Sequence, residues 1–188
     1  MNTERSLTGH FIFRIAWLLL GLALGFRFPD IDQRLQLSGL LVHRSILTHG
    51  FLLSLLLFWF IRNERDSKPK LRLFVIGLSL AFAVHLCFDF FPRSWVGYAL
   101  IHIPLYGRTN GLFSQLWILL SVGVCLYLTF VLVRRVIELL LSIGSLIFLF
   151  FISVAEAGNF NVWVLLLLAL SASGMMFLAI RGFKGAAR

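Results

Sequence analysis

The chain has 188 residues, 60% of them hydrophobic and 13% charged, with 17 basic against 8 acidic residues and a net charge of +9. A soluble domain of this length carries about a quarter charged residues, so the composition excludes an ordinary soluble domain and predicts an all-α, polytopic membrane protein, a single integral membrane domain over residues 1–188. The basic residues fall in short segments between apolar runs, where they report orientation and contact with anionic lipid headgroups; no soluble basic module for nucleic acid is visible.

A membrane-spanning helix needs about 20 apolar residues. Six stretches approach this: His10 to Phe28, Ile46 to Ile61, Leu71 to Phe91, Leu116 to Val133, Val136 to Val154, and Val162 to Ile180. The first follows Arg5 like a signal peptide, but no small-x-small cleavage site comes after it, so it is expected to stay as an uncleaved anchor. The second is short and must borrow from Ser45 or Arg62. The break at Arg134-Arg135 is tight, which leaves the count at five or six. Pro92 to Ser114 is the longest polar-leaning connection and is expected to be an irregular or re-entrant loop. Cys87 and Cys125 lie inside apolar stretches and are expected as buried thiols rather than a disulfide.

Lys and Arg orient the spans. Five basic residues lie between Arg62 and Arg72, which makes that connection cytoplasmic. Alternation then puts Arg5, Arg134-Arg135 and the tail with Arg181, Lys184 and Arg188 on the same side. Both termini are thus expected in the cytoplasm. Eleven basic residues fall inside and five outside: Arg27, Arg34, Arg44, Arg93 and Arg108.

This topology delivers metal-ligand side chains to one face. Asp30 and Asp32 follow the outer end of the first span, just after Pro29, which helps to end the helix. Two carboxylates at this spacing on a turn or extended strand can point to a common centre, and they repel unless a cation sits between them. His43 and His49 precede or begin the second span. Six residues apart, they would not share a face of one helix, so at least one lies on a turn, with Ser45 or Thr48 a candidate helix cap. His85 and Asp89 are four apart near the outer end of the third span and share a helix face. An ionisable pair inside a span is costly unless it faces a partner or a cavity. Imidazole and carboxylate are ordinary ligands of a divalent metal ion, zinc first. Arg44 has the planar fork that suits a phosphate or carboxylate. His102, in the outer loop, is a second candidate for substrate contact. Glu156, near Asn159 and Asn161, reads as an interfacial charge.

Pro29-Asp30-x-Asp32, then His43-Arg44-Ser45-x-x-Thr48-His49-Gly50, then His85-x-x-x-Asp89 with Gly97 and Pro104 after it, resemble the YdjM-like membrane-bound metal-dependent hydrolases, inner-membrane proteins associated with LexA regulation. The resemblance covers about residues 20–105; the helices over about 116–180 carry no matching motif. Where the family often has a histidine soon after the Asp pair, this chain has Gln33 and Arg34. The resemblance implies a divalent-metal site and hydrolase chemistry.

The expected function is therefore a metal-dependent hydrolase of the bacterial inner membrane. Asp30, Asp32, His49, His85 and Asp89 are the expected ligands, with His43 a further ligand or general base and Arg44 the holder of an anionic group. Headgroup depth makes a phosphate-bearing amphiphile the first substrate guess, with membrane lipids as partners. The alternative is a non-enzymatic transporter or accessory subunit with a structural metal or ion site.

Overall fold

The computed structural model describes residues 2–35, 42–62, 68–91 and 100–186, with side chains described between residues 13 and 180. Among these residues the order is α1 (Asn2–Arg27), α2 (Ile31–Leu35), α3 (Leu52–Ile61), α4 (Pro69–Phe90), β1 (His102–Ile103), β2 (Gly107–Arg108), α5 (Gly111–Leu132), α6 (Val136–Ala157) and α7 (Val162–Ala186). Four helices, α4 to α7, are long and apolar enough to cross a bilayer. Their apolarity runs around the whole circumference, the pattern of a helix buried in protein or lipid.

Helix α4 is the hub. It packs against α1, α3, α5, α6 and α7, and 14 of its 22 residues are buried. Pro69 opens its first turn, where a missing N–H costs nothing. Helices α6 and α7 lie at the periphery and expose Leu140, Phe148, Leu170 and Phe177.

Glycines set the closest seam. Gly21 and Gly25 of α1 lie one turn apart, opposite Gly77 of α4. A Cβ at Gly21 would meet the Phe74 carbonyl oxygen, one at Gly25 the Leu78 carbonyl oxygen, and one at Gly77 the Leu18 carbonyl oxygen. Small residues let two apolar helices come together where no hydrophobic drive separates them from lipid. Gly77→Leu is expected to force α1 off α4, lower stability by about 3 kcal/mol and reduce metal retention, because Asp30 and His85 face each other across this seam. Thermal unfolding in detergent, read beside metal content, checks it.

The stretch expected as a second span is a ten-residue helix, α3. At 1.5 Å per residue it reaches about 15 Å, half of a hydrocarbon core. Neither Ser45 nor Thr48 caps it: it starts after Phe51 with no side-chain cap, because residues 43–51 are committed to turns around the polar site. The long connection is also more ordered than expected. Residues 92–99, with Arg93 and Gly97, lie outside the described residues. After them β1 and β2 pair antiparallel, His102 with Arg108 and Ile103 with Gly107. Helix α5 begins at Gly111, earlier than Leu116, because the Asn110 side chain accepts from the Phe113 N–H at 2.8 Å and caps it.

The two ends of the bundle differ. Asp30, His49, His85 and Asp89 lie at one end. At the other, Arg72 of α4 meets Glu138 of α6 in a two-pronged pair, with nitrogen–oxygen distances of 2.8 and 2.7 Å. Arg72 also donates to the Leu132 carbonyl at the end of α5, and Glu138 accepts from the Arg134 N–H. Arg72 is buried at 5% exposure, so this member of the basic run is an internal clamp across three helices.

Candidate metal centre

Helix α1 stops at Arg27, two residues before Pro29. Residues 28–30 turn, and α2 starts at Ile31. This tight reversal sends the two aspartates in different directions. Asp30 sits on the turn and reaches towards His85, with Oδ1 3.8 Å from Nε2. Asp32 sits in the first turn of α2 and is buried. The two carboxylates therefore approach different partners, Asp30 facing His85, and Asp32 facing His43 and His49.

Residues 42–51 wrap around Asp32. Its Oδ2 accepts from the Ser45 backbone N–H at 3.1 Å and from the Thr48 hydroxyl at 2.7 Å. The same oxygen lies 3.2 Å from His49 Nδ1. Its Oδ1 lies 3.5 Å from Nδ1 of His43. Burial pushes the Asp32 carboxyl up, but the hydrogen bonds from His43, His49 and Thr48 outweigh burial and hold it well below the usual carboxylate range. Asp32 is thus an ionised anchor for two imidazoles.

This arrangement favours one tautomer of His49. Thr48 donates its hydroxyl proton to Asp32, so Nδ1 of His49 carries the proton that faces the same carboxylate. Its Nε2 then presents a lone pair. That lone pair faces Asp89 Oδ2 at 3.4 Å. His85 Nε2 lies 3.4 Å from the same oxygen. Both His49 Nε2 and Asp89 Oδ2 are buried without a hydrogen-bond partner among the described residues. A buried lone pair against a buried carboxylate is repulsive and loses hydration on both sides. A cation between them removes the conflict.

The spacing fits one. Ligands about 2.0–2.1 Å from a tetrahedral divalent ion stand about 3.3–3.5 Å from each other. Both His–Asp89 distances have this value, and Asp30 is slightly wider. One ligand atom each from Asp30, His49 and His85 lies within 4.8 Å of the other two. A second such group, Asp32, His43 and His49, shares His49. In it, Asp32 Oδ2 is already engaged by three donors, which makes it the outer partner that orients His49, a common arrangement behind a metal-bound histidine.

His43 and His49 both lie on turns, with ring centroids 5.7 Å apart. His43 is the outermost of the group, its side chain 42% exposed. Gln33 reaches from α2 with its Nε2 3.3 Å from both Asp30 Oδ1 and His43 Nε2. Gln33 therefore ties a candidate ligand to the mouth histidine.

Arg44 adopts the left-handed conformation, φ 64°, which is strained for a residue with a side chain. The hairpin holds it there. The His102 N–H donates to the Arg44 carbonyl at 2.9 Å, and the Ile46 N–H donates to the His102 carbonyl at 2.8 Å. The guanidinium comes 3.6 Å from Asp89 Oδ1 and keeps a buried Nε without a partner. His102 acts here through its backbone. Its ring stands outside both candidate ligand groups, its buried Nδ1 without a partner. Glu156 pairs with Arg27 at 3.4 Å on the surface, as an interfacial charge does.

Sequence reasoning did not find Trp117. Its indole N–H donates to the His49 carbonyl at 2.8 Å. Gly50 makes room: a Cβ there would stand 2.8 Å from the Trp117 ring. A lone Trp in an apolar span carries no signal of this kind, because such residues ordinarily face lipid. Cys87 and Cys125 are free and buried, as expected. No protein-family model, curated protein or solved structure matches this chain, so its functional reading rests on the geometry of this site.

Proposed function

We propose that the chain is a divalent-metal-dependent hydrolase of the bacterial inner membrane, YdjM-like in its motifs, with its site at the outer face and both termini in the cytoplasm. The observation that carries this reading is the buried Nε2 of His49 facing the buried Oδ2 of Asp89 without a hydrogen bond, at the spacing of two ligands of one ion.

Asp30, His49, His85 and Asp89 would hold the ion, and zinc matches this nitrogen and oxygen donor set. Bound there, it supplies Lewis-acid polarisation and lowers the pKa of a water. Asp32 keeps His49 in the tautomer that leaves Nε2 available. His43 stands at the mouth with Asp32 on one nitrogen and Gln33 beside the other, an oriented imidazole suited to take a proton from the attacking water. Arg44, held by the His102 hairpin, offers guanidinium donors to an anionic group, a phosphate first. His102 thereby becomes a positioning residue. The site lies at the ends of apolar helices, which favours a phosphoester or lipid-like substrate.

A transport reading is supported less well. Between the site and the Arg72–Glu138 pair, the described stretches of α1, α3, α4, α5, α6 and α7 from residue 15 onward carry no Asp, Glu, His, Lys or Arg. An ion or proton pathway needs polar steps across that distance.

The test is metal analysis of the purified protein. Wild type is expected to retain about one divalent ion per chain, and His85→Ala and Asp30→Ala to lose it; unchanged metal in both variants would falsify the site. A screen of phospholipid and phosphoester hydrolysis with and without chelator then follows. His43→Ala is expected to keep its metal and lose about 10²–10⁴-fold in kcat, the usual contribution of a positioned acid or base. Loss of metal in His43→Ala would instead make it a ligand.

A further inference from the structure

Two cavities adjoin along α6 and α7. One is an apolar groove of about 520 Å³ between α6 and α7, floored by Phe130 of α5. Helices α6 and α7 are consecutive, yet each packs chiefly on the hub side, α6 on α4 and α7 on α5, and the groove opens between them. Its walls include Ile147 and Phe150 from α6 and Ala169 and Ala172 from α7, with Ser173 the one polar lining residue among the described residues. The second cavity, about 210 Å³, shares Phe130 and Met176 with the first and ends at Arg134 and Arg135. The pair therefore runs from an apolar trough to two exposed guanidinium groups.

We propose that these cavities form a binding site for one anionic phospholipid of the bilayer, an acyl chain lying in the α6–α7 groove and the phosphate at Arg134 and Arg135.

The lining and the charge at its end select the occupant. The groove is walled over residues 143–151 of α6 and 165–176 of α7, about 12–17 Å at 1.5 Å per residue. A polar ligand gains nothing from walls with one hydroxyl. A hydrocarbon chain fits in both size and chemistry. The charge at the end adds the headgroup: basic pockets between membrane helices take anionic phosphates, and anionic lipid is concentrated on the side where Lys and Arg collect. Arg134-Arg135 belongs to that side by the distribution of basic residues along the chain. The site is separate from the metal centre and stands whether or not a metal is bound there.

The experiment is native mass spectrometry of the full chain, released from nanodiscs made of equal parts phosphatidylglycerol and phosphatidylcholine. One phosphatidylglycerol per chain is expected to stay bound in preference to phosphatidylcholine. Arg134→Gln with Arg135→Gln is expected to cut that preference about tenfold, from the loss of two interfacial cations. Ala169→Phe, which fills the groove from an exposed position, is expected to lower retention of both lipids, with circular dichroism unchanged. Ala172→Leu serves the same purpose should the larger ring perturb folding. Equal retention of the two lipids, unaltered by the arginine replacements, would mean a nonspecific lipid shell and overturn the proposal. So would undiminished retention in both folded groove-filling variants.

Discussion

His49→Ala is expected to abolish metal binding. The imidazole belongs to both candidate groups, with Asp30 and His85 in one and with Asp32 and His43 in the other, and its Nε2 and Nδ1 face Asp89 and Asp32. Its removal takes away a candidate ligand and leaves the buried Asp32 and the partly buried Asp89 without the ring that separates them. The loss should exceed that from Thr48→Val, which removes a hydroxyl bound to Asp32 and leaves every ligand in place. Loosening such an outer partner costs about 10–100-fold in affinity. Metal content after dialysis, with isothermal titration of the added ion, orders the three proteins: wild type, then Thr48→Val, then His49→Ala with no measurable binding. Equal affinity in Thr48→Val and wild type would show that Asp32 does not orient His49.

Arg72→Ala is expected to cost about 3–5 kcal/mol of stability, the usual result of removing one member of a buried ion pair. Glu138, at 7% exposure, would lose two of its three side-chain hydrogen bonds, retaining the one from the Arg134 N–H. The Leu132 carbonyl would lose its donor as well. Replacing both members, Arg72→Met with Glu138→Leu, is expected to recover most of the loss, because apolar side chains of similar volume do not need the pair. Unfolding in detergent micelles measures both. Metal content per folded molecule is expected to stay at the wild-type value, since the pair lies at the far end of the helices. A fall in metal content in proportion to the lost stability would show that the two ends are coupled.

These two outcomes concern residues of very different visibility in the sequence. His49 stands out because imidazole beside Asp, Arg and Thr in an apolar chain is costly without a purpose. Arg72 and Glu138 do not stand out. Arg72 closes a basic run that reads as a solvated loop, and its partner lies 66 positions away. Pairing at that range is created by the fold, and no local pattern records it.

The polar site shows the same division at finer scale. Composition, the Pro29–Asp32 break and the four-residue spacing of His85 and Asp89 are local properties, and they select the residues that meet. Their roles are not local. Asp30 and Asp32 have the same chemistry and stand two residues apart. One approaches His85, and the other is enclosed by Ser45, Thr48, His43 and His49, because a turn and a five-residue helix separate their directions. Gln33 reads as a gap in a motif and becomes a bridge to His43 for the same reason.

The sequence by itself determined the class of the protein, an apolar helical chain whose ionisable groups gather at helix ends, because transfer of charge into hydrocarbon is costly at any position. It determined the candidate donor set as well. Only the tertiary structure decided which apolar helix is central, since helices that are apolar all round carry no facing preference. It decided that α3 stops after ten residues, because the preceding turns are spent on Asp32 and on the Arg44–His102 bridge. It also decided which donors approach one another, because the 3.4 Å between His49 on its turn and Asp89 on α4 is a property of packing and not of order along the chain.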